Sequence, residues 1–493
     1  MPIIIPANSA VAGGFNVENG VMLNFMDATP GQTTPDILKL GTGTDGNMKI
    51  WTMSIWVKRT TLDAQSDGNQ KFWNWGASNQ NGEGGMHFDT DDFLIFQNDG
   101  QQGSNNKLQG VFRDTNAWYH IVWRCNVTES DNANRWRCYI NGVQRSFVSQ
   151  PTISDANGYI NRGSIMLNWI GANGRSGQAG ATLSPWGGYV AEAVFVDGQS
   201  LAPTSFGEFD EDSNIWKPIK SVADLTFGDE GYYLNFQNAA ELGTDVSGNS
   251  NTFSESNITA DNQSLDTCTN NFMTLSPLYG IAGKQFSQGN LQFSYANNYQ
   301  RGTFGSITPD LGKWYFEFKR ISGGSVQLGV ANSIVGSDGR YGTDTAGNSS
   351  FRILNSNYAV AFVTSGSTGR LVQNGNDIRT DLARVGDGEI GMFAFDLATG
   401  KIWTGKSGTW DNSGNPATGA NPSGTWSTNF TANTLTWFHF SNENNAIVQA
   451  NFGSPMYSIS SGNADGNNQG NFEYAVPAGF LSLCTKNLSE VLS

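Results

Sequence analysis

The side chains best suited to acid–base or metal chemistry are three histidines, four cysteines and a scatter of carboxylates. Their spacing decides what they can do. His87, His120 and His439 stand in unrelated strand-like contexts, with no HExxH pattern and no close pair. A three-histidine metal site would have to fold three distant segments together, so each reads as a satisfied histidine on a strand. Glycoside hydrolysis needs two carboxylates roughly 5–9 Å apart across a cleft. Glu192 lies between Ala191 and Ala193 with no second carboxylate within two residues, and Glu317 is similarly alone. Asp387 and Glu389 have the i, i+2 spacing, but they straddle Gly388 in a Gly-Asp-Gly turn. A solvated turn accounts for them better than a catalytic pair. No catalytic residue is assigned, and a non-enzyme is expected.

Binding chemistry has more to work with. Asp89, Asp91 and Asp92 cluster just before Phe93, and Gln97, Asn98, Asp99 and Asn105 add nearby oxygens. Hard cations take several oxygen ligands from a loop, so calcium is one reading of this cluster and a solvated turn the other. Aromatic platforms with amide neighbours bind sugars. Trp186 beside Pro185, Trp410 and Trp426 are the candidates for contact with a glycan or a partner, set against simple packing of their loops. The cysteines, at 125, 138, 268 and 484, are too sparse for a disulfide scaffold. Cys125 and Cys138 lie on neighbouring strands and could face each other, either as buried thiols or as a disulfide formed under oxidising conditions.

The elements that must position these residues are strands. Trp118–Cys125 and Arg135–Ile140 flank a polar loop at 126–134, the part of this hairpin free to meet a partner. Trp136, Cys138 and Ile140 alternate with Arg135, Arg137 and Tyr139, a period of two. Asn141-Gly142 then supplies a tight turn. In Trp51–Lys58, positions 51, 53, 55 and 57 are apolar. In Trp314–Phe318, 314, 316 and 318 share a face. With 60 glycines, 12% aromatics and only 14% charged residues, the chain is made of short strands and many turns. The fold class is all-β: two antiparallel β-sandwiches of jelly-roll type joined by a structured connector. The expected divisions are an arm or edge segment over 1–20, a sandwich over 21–200, the connector over 201–285, a sandwich over 286–455 and a closing segment over 456–493. The long Gly/Asn/Pro/Thr stretch at 405–434 is expected to be a functional or interfacial loop.

A net charge of −15 argues against nucleic acid and against an anionic membrane surface. No run of about 18 apolar residues is present, so no membrane span is expected. Met1–Pro6 lacks a basic n-region, so synthesis without a secretory leader is expected.

Residues 45–200 resemble a laminin-G-like, concanavalin-A-like jelly roll in WTMSIWVKR (51–59), Trp118-Tyr119-His120, YINGV (139–143) and Gly187–Val196 with its Asp-Gly turn. Residues 284–455 resemble a SPRY domain in GKWYFEF (312–318), VQLGV (326–330), GMFAFD (391–396) followed by KIW, and Asn451-Phe452-Gly453. The whole chain is similar to structural proteins of tailed bacteriophages, including those of marine hosts. The similarity lies in Ile4–Gly14, in the linker Asp245–Asn249 and in the segment 477–488. It implies a virion protein made in the host cytoplasm: a tail-fibre, tail-associated or capsid-decorating component. Its partners would be other virion proteins, copies of itself with a trimer favoured, and a host-surface glycan. A glycan-degrading jelly roll and a SPRY-type interaction scaffold are the alternatives.

Overall fold

The computed structural model describes residues 14–24, 35–62, 69–76, 82–173, 184–278, 284–295, 301–331, 341–343, 349–351, 358–427, 429–443 and 445–491. These divide into two compact units, one ending at Asn270 and the other beginning at Asn271. Of the expected 1–20 arm, residues 1–13 lie outside the described residues, and Gly20 already belongs to a strand, Gly20–Leu23.

The first unit is a sandwich of two sheets. One runs in the order Val143–Arg145, Trp136–Ile140, Tyr119–Asn126, Ile50–Arg59, Gly188–Asp197, Gly20–Leu23, Gln263–Ser264. The other runs Ser254–Ser256, Ile37–Leu40, Leu167–Ile170, Gln70–Gly76, Glu83–Phe88, Phe93–Asn98, Gln102–Val111. Alternation sends Trp51, Met53, Ile55 and Val57 inward from the first sheet, against Phe72, Trp73, Met86 and Phe96 from the second. Trp136, Cys138 and Ile140 join the same core, as their period predicts. Asn141 (φ 48°) and Gly142 (φ 77°) make the two-residue turn that the Asn-Gly pair predicts. The polar 126–134 loop is tied down rather than free. Asp131 caps the short helix Asn132–Arg135, and Asn132 accepts the N–H of Ile153 at 2.7 Å.

The expected connector is largely part of this sandwich. Tyr232–Leu234 pairs with Gly188–Asp197, and Ser254–Ser256 pairs with Ile37–Leu40. Phe206, Val222 and Phe227 lie over Val122, Tyr139, Val194 and Val196. The physical reason is that the outer face of the first sheet is itself apolar, and residues 201–227 cover it. A period-two reading that assumes a solvated outer face does not anticipate that cover.

The second unit is also a two-sheet sandwich. Its larger sheet runs Lys284–Ser287, Gln292–Tyr295, Ile447–Asn451, Lys313–Ser322, Ile390–Asp396, Lys401–Lys406, Thr409–Trp410. Its smaller sheet runs Arg301–Phe304, Trp437–Glu443, Ser325–Ala331, Ala359–Val363, Gly369–Gln373, Asn376–Leu382. Phe316 lies at the centre, 4.9 Å from Phe393 and 5.6 Å from Phe440 of the opposite sheet. The closing segment is built in as well. Leu481–Ser482 adds a parallel strand on Lys313–Ser322, while Phe472 and Phe480 pack with Tyr315 and Trp403.

The 405–434 stretch is ordered by its own contacts. Gly424–Thr425 pairs with Lys401-Ile402, and the Trp403 indole donates to the carbonyl of Ala420 at 2.9 Å. Asn376–Leu382 forms an edge of the smaller sheet. It carries Asp377, paired with Arg370 at 2.9 Å, and the pair Arg379–Asp381 at 2.6 Å.

Candidate functional site

The histidines and the solitary glutamates serve packing. Burial pushes His87, His120 and His439 each down to about 3, with Lys71 adding to the effect at His87. All three rings are therefore neutral at physiological pH. His120 has a serine partner, since Ser54 Oγ lies 2.8 Å from Nε2. Its other nitrogen, Nδ1, accepts the indole N–H of Trp216 at 2.9 Å. An indole nitrogen can only donate, so the ring proton sits on Nε2 and is given to Ser54. A general base would have to accept there instead. The ring is also clamped by Trp56 at 4.6 Å, out of reach of a substrate.

Glu192 sits at a bulge of its strand with φ 50° and accepts the hydroxyl of Tyr233. Glu317 accepts from the Tyr315 hydroxyl (2.8 Å) and from the backbone N–H groups of Glu473 (2.9 Å) and Tyr474 (2.8 Å). Burial pushes both carboxyls up to about 7. Such values suit a general acid, but each group is enclosed and already engaged. Glu389 accepts from Gly386 and Lys406, and Asp387 pairs with Arg320, so this couple is the expected turn.

The expected calcium cluster is corrected by its neighbours. Asp89 accepts the N–H groups of Asp91 and Phe93 and pairs with Lys107 at 2.7 Å. Asp92 pairs with Arg59 at 2.9 Å and Arg113 at 2.7 Å. Three cations face three carboxylates, which leaves no excess charge for a divalent ion. Among the described residues, no group of three or more His, Cys, Asp or Glu could hold a metal.

Two of the three aromatic candidates, Trp186 and Trp426, are corrected by their burial. Trp186 is fully buried against Phe72, and Trp426 is buried against Phe430 and Phe395. Trp410 is half-buried, edge-on to Tyr315 at 6.2 Å. Trp186 and Trp426 therefore present no open ring to a sugar, whereas Trp410 keeps part of its surface exposed. Cys125 and Cys138 do not face each other: Cys125 lies opposite Trp136 and Cys138 opposite Trp123, and both thiols are free and buried.

What remains is one end of the second sandwich. The turn between Lys313–Ser322 and Ser325–Ala331, the turn after Ala359–Val363 and the loop after Asn376–Leu382 enclose an open cleft of about 400 Å³. It is lined by Arg320, Arg384, Ser325 and Ser365 and by Gly323, Gly324 and Gly366. Arg320 is nearly buried and organises the loops. Its Nε donates to Asp387 at 2.8 Å, Nη1 to the carbonyl of Thr364 at 2.7 Å, and Nη2 to the carbonyl of Gly323. Gly323 (φ 95°) packs so closely that a Cβ would lie 2.3 Å from the carbonyl of Asn445. Arg384 is exposed and in no ion pair among the described residues. The sequence signal for this site, Gly323-Gly324 directly after a strand ending in Lys319-Arg320, reads as an ordinary hairpin turn. Only the fold brings Ser365 and Arg384 beside it.

No protein-family model matches the chain, and no curated protein matches it. Among solved structures, the TRIM65 PSpry domain is similar at 14% identity and a TM-score of 0.26, covering 36% of this chain and 91% of that one. The SPRY domain of human HERC1 is similar at 12% identity and 0.26, covering 36% and 96%. A heptameric SAP-like pentraxin from Limulus polyphemus is similar at 15% identity and 0.26, covering 38% and 80%. At these identities and scores the likenesses carry no argument about function.

Proposed function

We propose that the chain is a non-enzymatic recognition protein, two jelly-roll-type sandwiches in which the loop-built end of the second holds a partner. One contrast carries this reading. The groups that could do chemistry are consumed by packing, whereas the cleft of Arg320, Arg384, Ser325 and Ser365 is open and polar. This is the interaction-scaffold alternative of the sequence reading. The test is retention of the full chain on a displayed peptide library and a glycan array, alongside polysaccharide hydrolysis assays. Retention without turnover is expected. Turnover of any glycan, or no retention on either display, would sink the proposal.

A second reading sets this recognition protein in a tailed-phage virion, as a tail-fibre, tail-associated or capsid-decorating component, trimeric and attached to a host-surface glycan. It is supported by the similarity of Asp245–Asn249 and 477–488 to phage structural proteins. In the fold, both segments are framework. The Asp245 carboxylate accepts the N–H groups of Tyr233, Ser247 and Asn251, and Asp465 accepts from Ser482 and Asn487. Mass spectrometry of purified particles tests this reading, which requires the chain at a fixed copy number.

A further inference from the structure

We infer that the cleft at the end of the second sandwich takes the carboxylate of an acidic peptide segment, with Arg384 as the ion-pairing group and the Ser325 and Ser365 hydroxyls beside it. The inference rests on the recognition reading above and deepens it.

The two arginines have different jobs. Arg320 spends its donors on Asp387, Thr364 and Gly323, so it holds the cleft in shape while Asp387 offsets its charge. Arg384 is exposed at the same cleft with no ion-pair partner among the described residues, and its planar fork is free to meet a carboxylate with two parallel hydrogen bonds. Of the nearby acids, Asp387 already pairs with Arg320, and Glu389, held by Lys406 and the N–H of Gly386, also lies within electrostatic reach of Arg384 without a direct ion pair among the described residues. Among the described side chains the lining contains two arginines and no carboxylate, in a chain whose net charge is −15. Arg384 is thus the charge that an anion entering this cleft would meet.

The lining also selects the class of anion. Among the described residues it holds no aromatic ring, so an acidic sugar would lack the stacking platform that sugar sites commonly use. Gly366 (φ 76°) has nothing within 4 Å of where a Cβ would stand, which leaves its backbone accessible. An extended peptide can approach such a rim and hydrogen-bond to it as well as place a side-chain carboxylate on Arg384.

The test is titration calorimetry on the full chain at low salt. The probes are an acetylated, amidated hexapeptide of four consecutive glutamates between glycines, its glutamine counterpart, glucuronate and inorganic phosphate. The glutamate peptide is expected to bind at least about tenfold more tightly than the glutamine peptide. Arg384→Ala is expected to weaken it about tenfold and Arg384→Glu to abolish it, with unchanged melting temperatures because the side chain is exposed. Equal binding by Arg384→Ala, glucuronate or phosphate binding as tightly as the peptide, or no binding to the wild type would each overturn the inference. Library or array retention that survives Arg384→Glu would remove this site and leave the broader recognition function standing. Loss of all retention by the wild type would remove both.

Discussion

Each sandwich fastens a late stretch of its own chain to its main sheet through one buried carboxylate, and the two do so with opposite electrostatics. In the first, Asp266 meets a cation: Lys58 Nζ lies 2.6 Å away, both side chains are almost fully buried, and the Trp118 indole donates at 3.0 Å. In the second, Glu317 has no cation partner among the described residues. Its donors are neutral: the Tyr315 hydroxyl, two backbone N–H groups and, at 3.4 Å, the Asn451 amide. Neutral donors share the charge without cancelling it, so burial dominates and holds the Glu317 carboxyl at about 7. The same fastening job is done once by a fixed ion pair and once by a group that changes its proton near neutral pH.

The largest expected effect comes from removing the cation. Lys58→Met would leave Asp266 buried without its lysine, costing the first sandwich about 3–5 kcal/mol in chemical denaturation. A cost below about 1 kcal/mol would show that the pair does not hold that segment. Next is pH. A Glu pKa raised from 4.5 to about 7 means the folded state keeps a proton that the unfolded chain has already released. Stability from this group is therefore greatest at low pH, falls by about 3 kcal/mol as pH rises through that window, and is flat above it. Glu317→Gln should flatten that slope, and parallel pH profiles for wild type and variant would refute the assignment.

Each buried glutamate also depends on a tyrosine hydroxyl, to a different degree. Tyr233→Phe removes the one hydrogen bond found for Glu192 among the described residues and should cost about 1–3 kcal/mol at pH 8. Tyr315→Phe removes one of several from Glu317 and should cost about 0.5–1.5 kcal/mol. The reverse order would mean that donor number is not what matters. The smallest expected effect is at the Asp89–Asp92 turn. Chelator or added calcium should leave the melting temperature unchanged, because the carboxylates there are already neutralised by Lys107, Arg59 and Arg113.

Much of the strand framework was legible because alternation is local. The inward set of Trp51, Met53, Ile55 and Val57, the Trp136–Cys138–Ile140 face and the Asn141-Gly142 turn each follow from a few adjacent residues. What failed to show was non-local. The cover of residues 201–227 over the outer face depends on Val122 and Tyr139, far away in sequence. The acidic run at Asp89–Asp92 resembled a cation loop because Arg59 and Lys107 are distant until folded. Trp186 and Trp426 lie in Gly/Pro/Ser-rich stretches that look exposed, but a large ring among small residues is equally a plug. The cleft was hidden for the same reason, since its arginines and serines come from three separate loops.

The charged edge of the second sandwich's smaller sheet bears on how many copies can coexist. Among the described residues Asn376–Leu382 is the last strand of its sheet, and Asp377, Arg379 and Asp381 crowd that margin with both signs, each already satisfied within its own chain. A neighbouring molecule adding a strand there would have to bury or break those pairs. At high local concentration this margin therefore resists runaway strand-by-strand polymerisation, and any ordered assembly of many copies must be built through other surfaces.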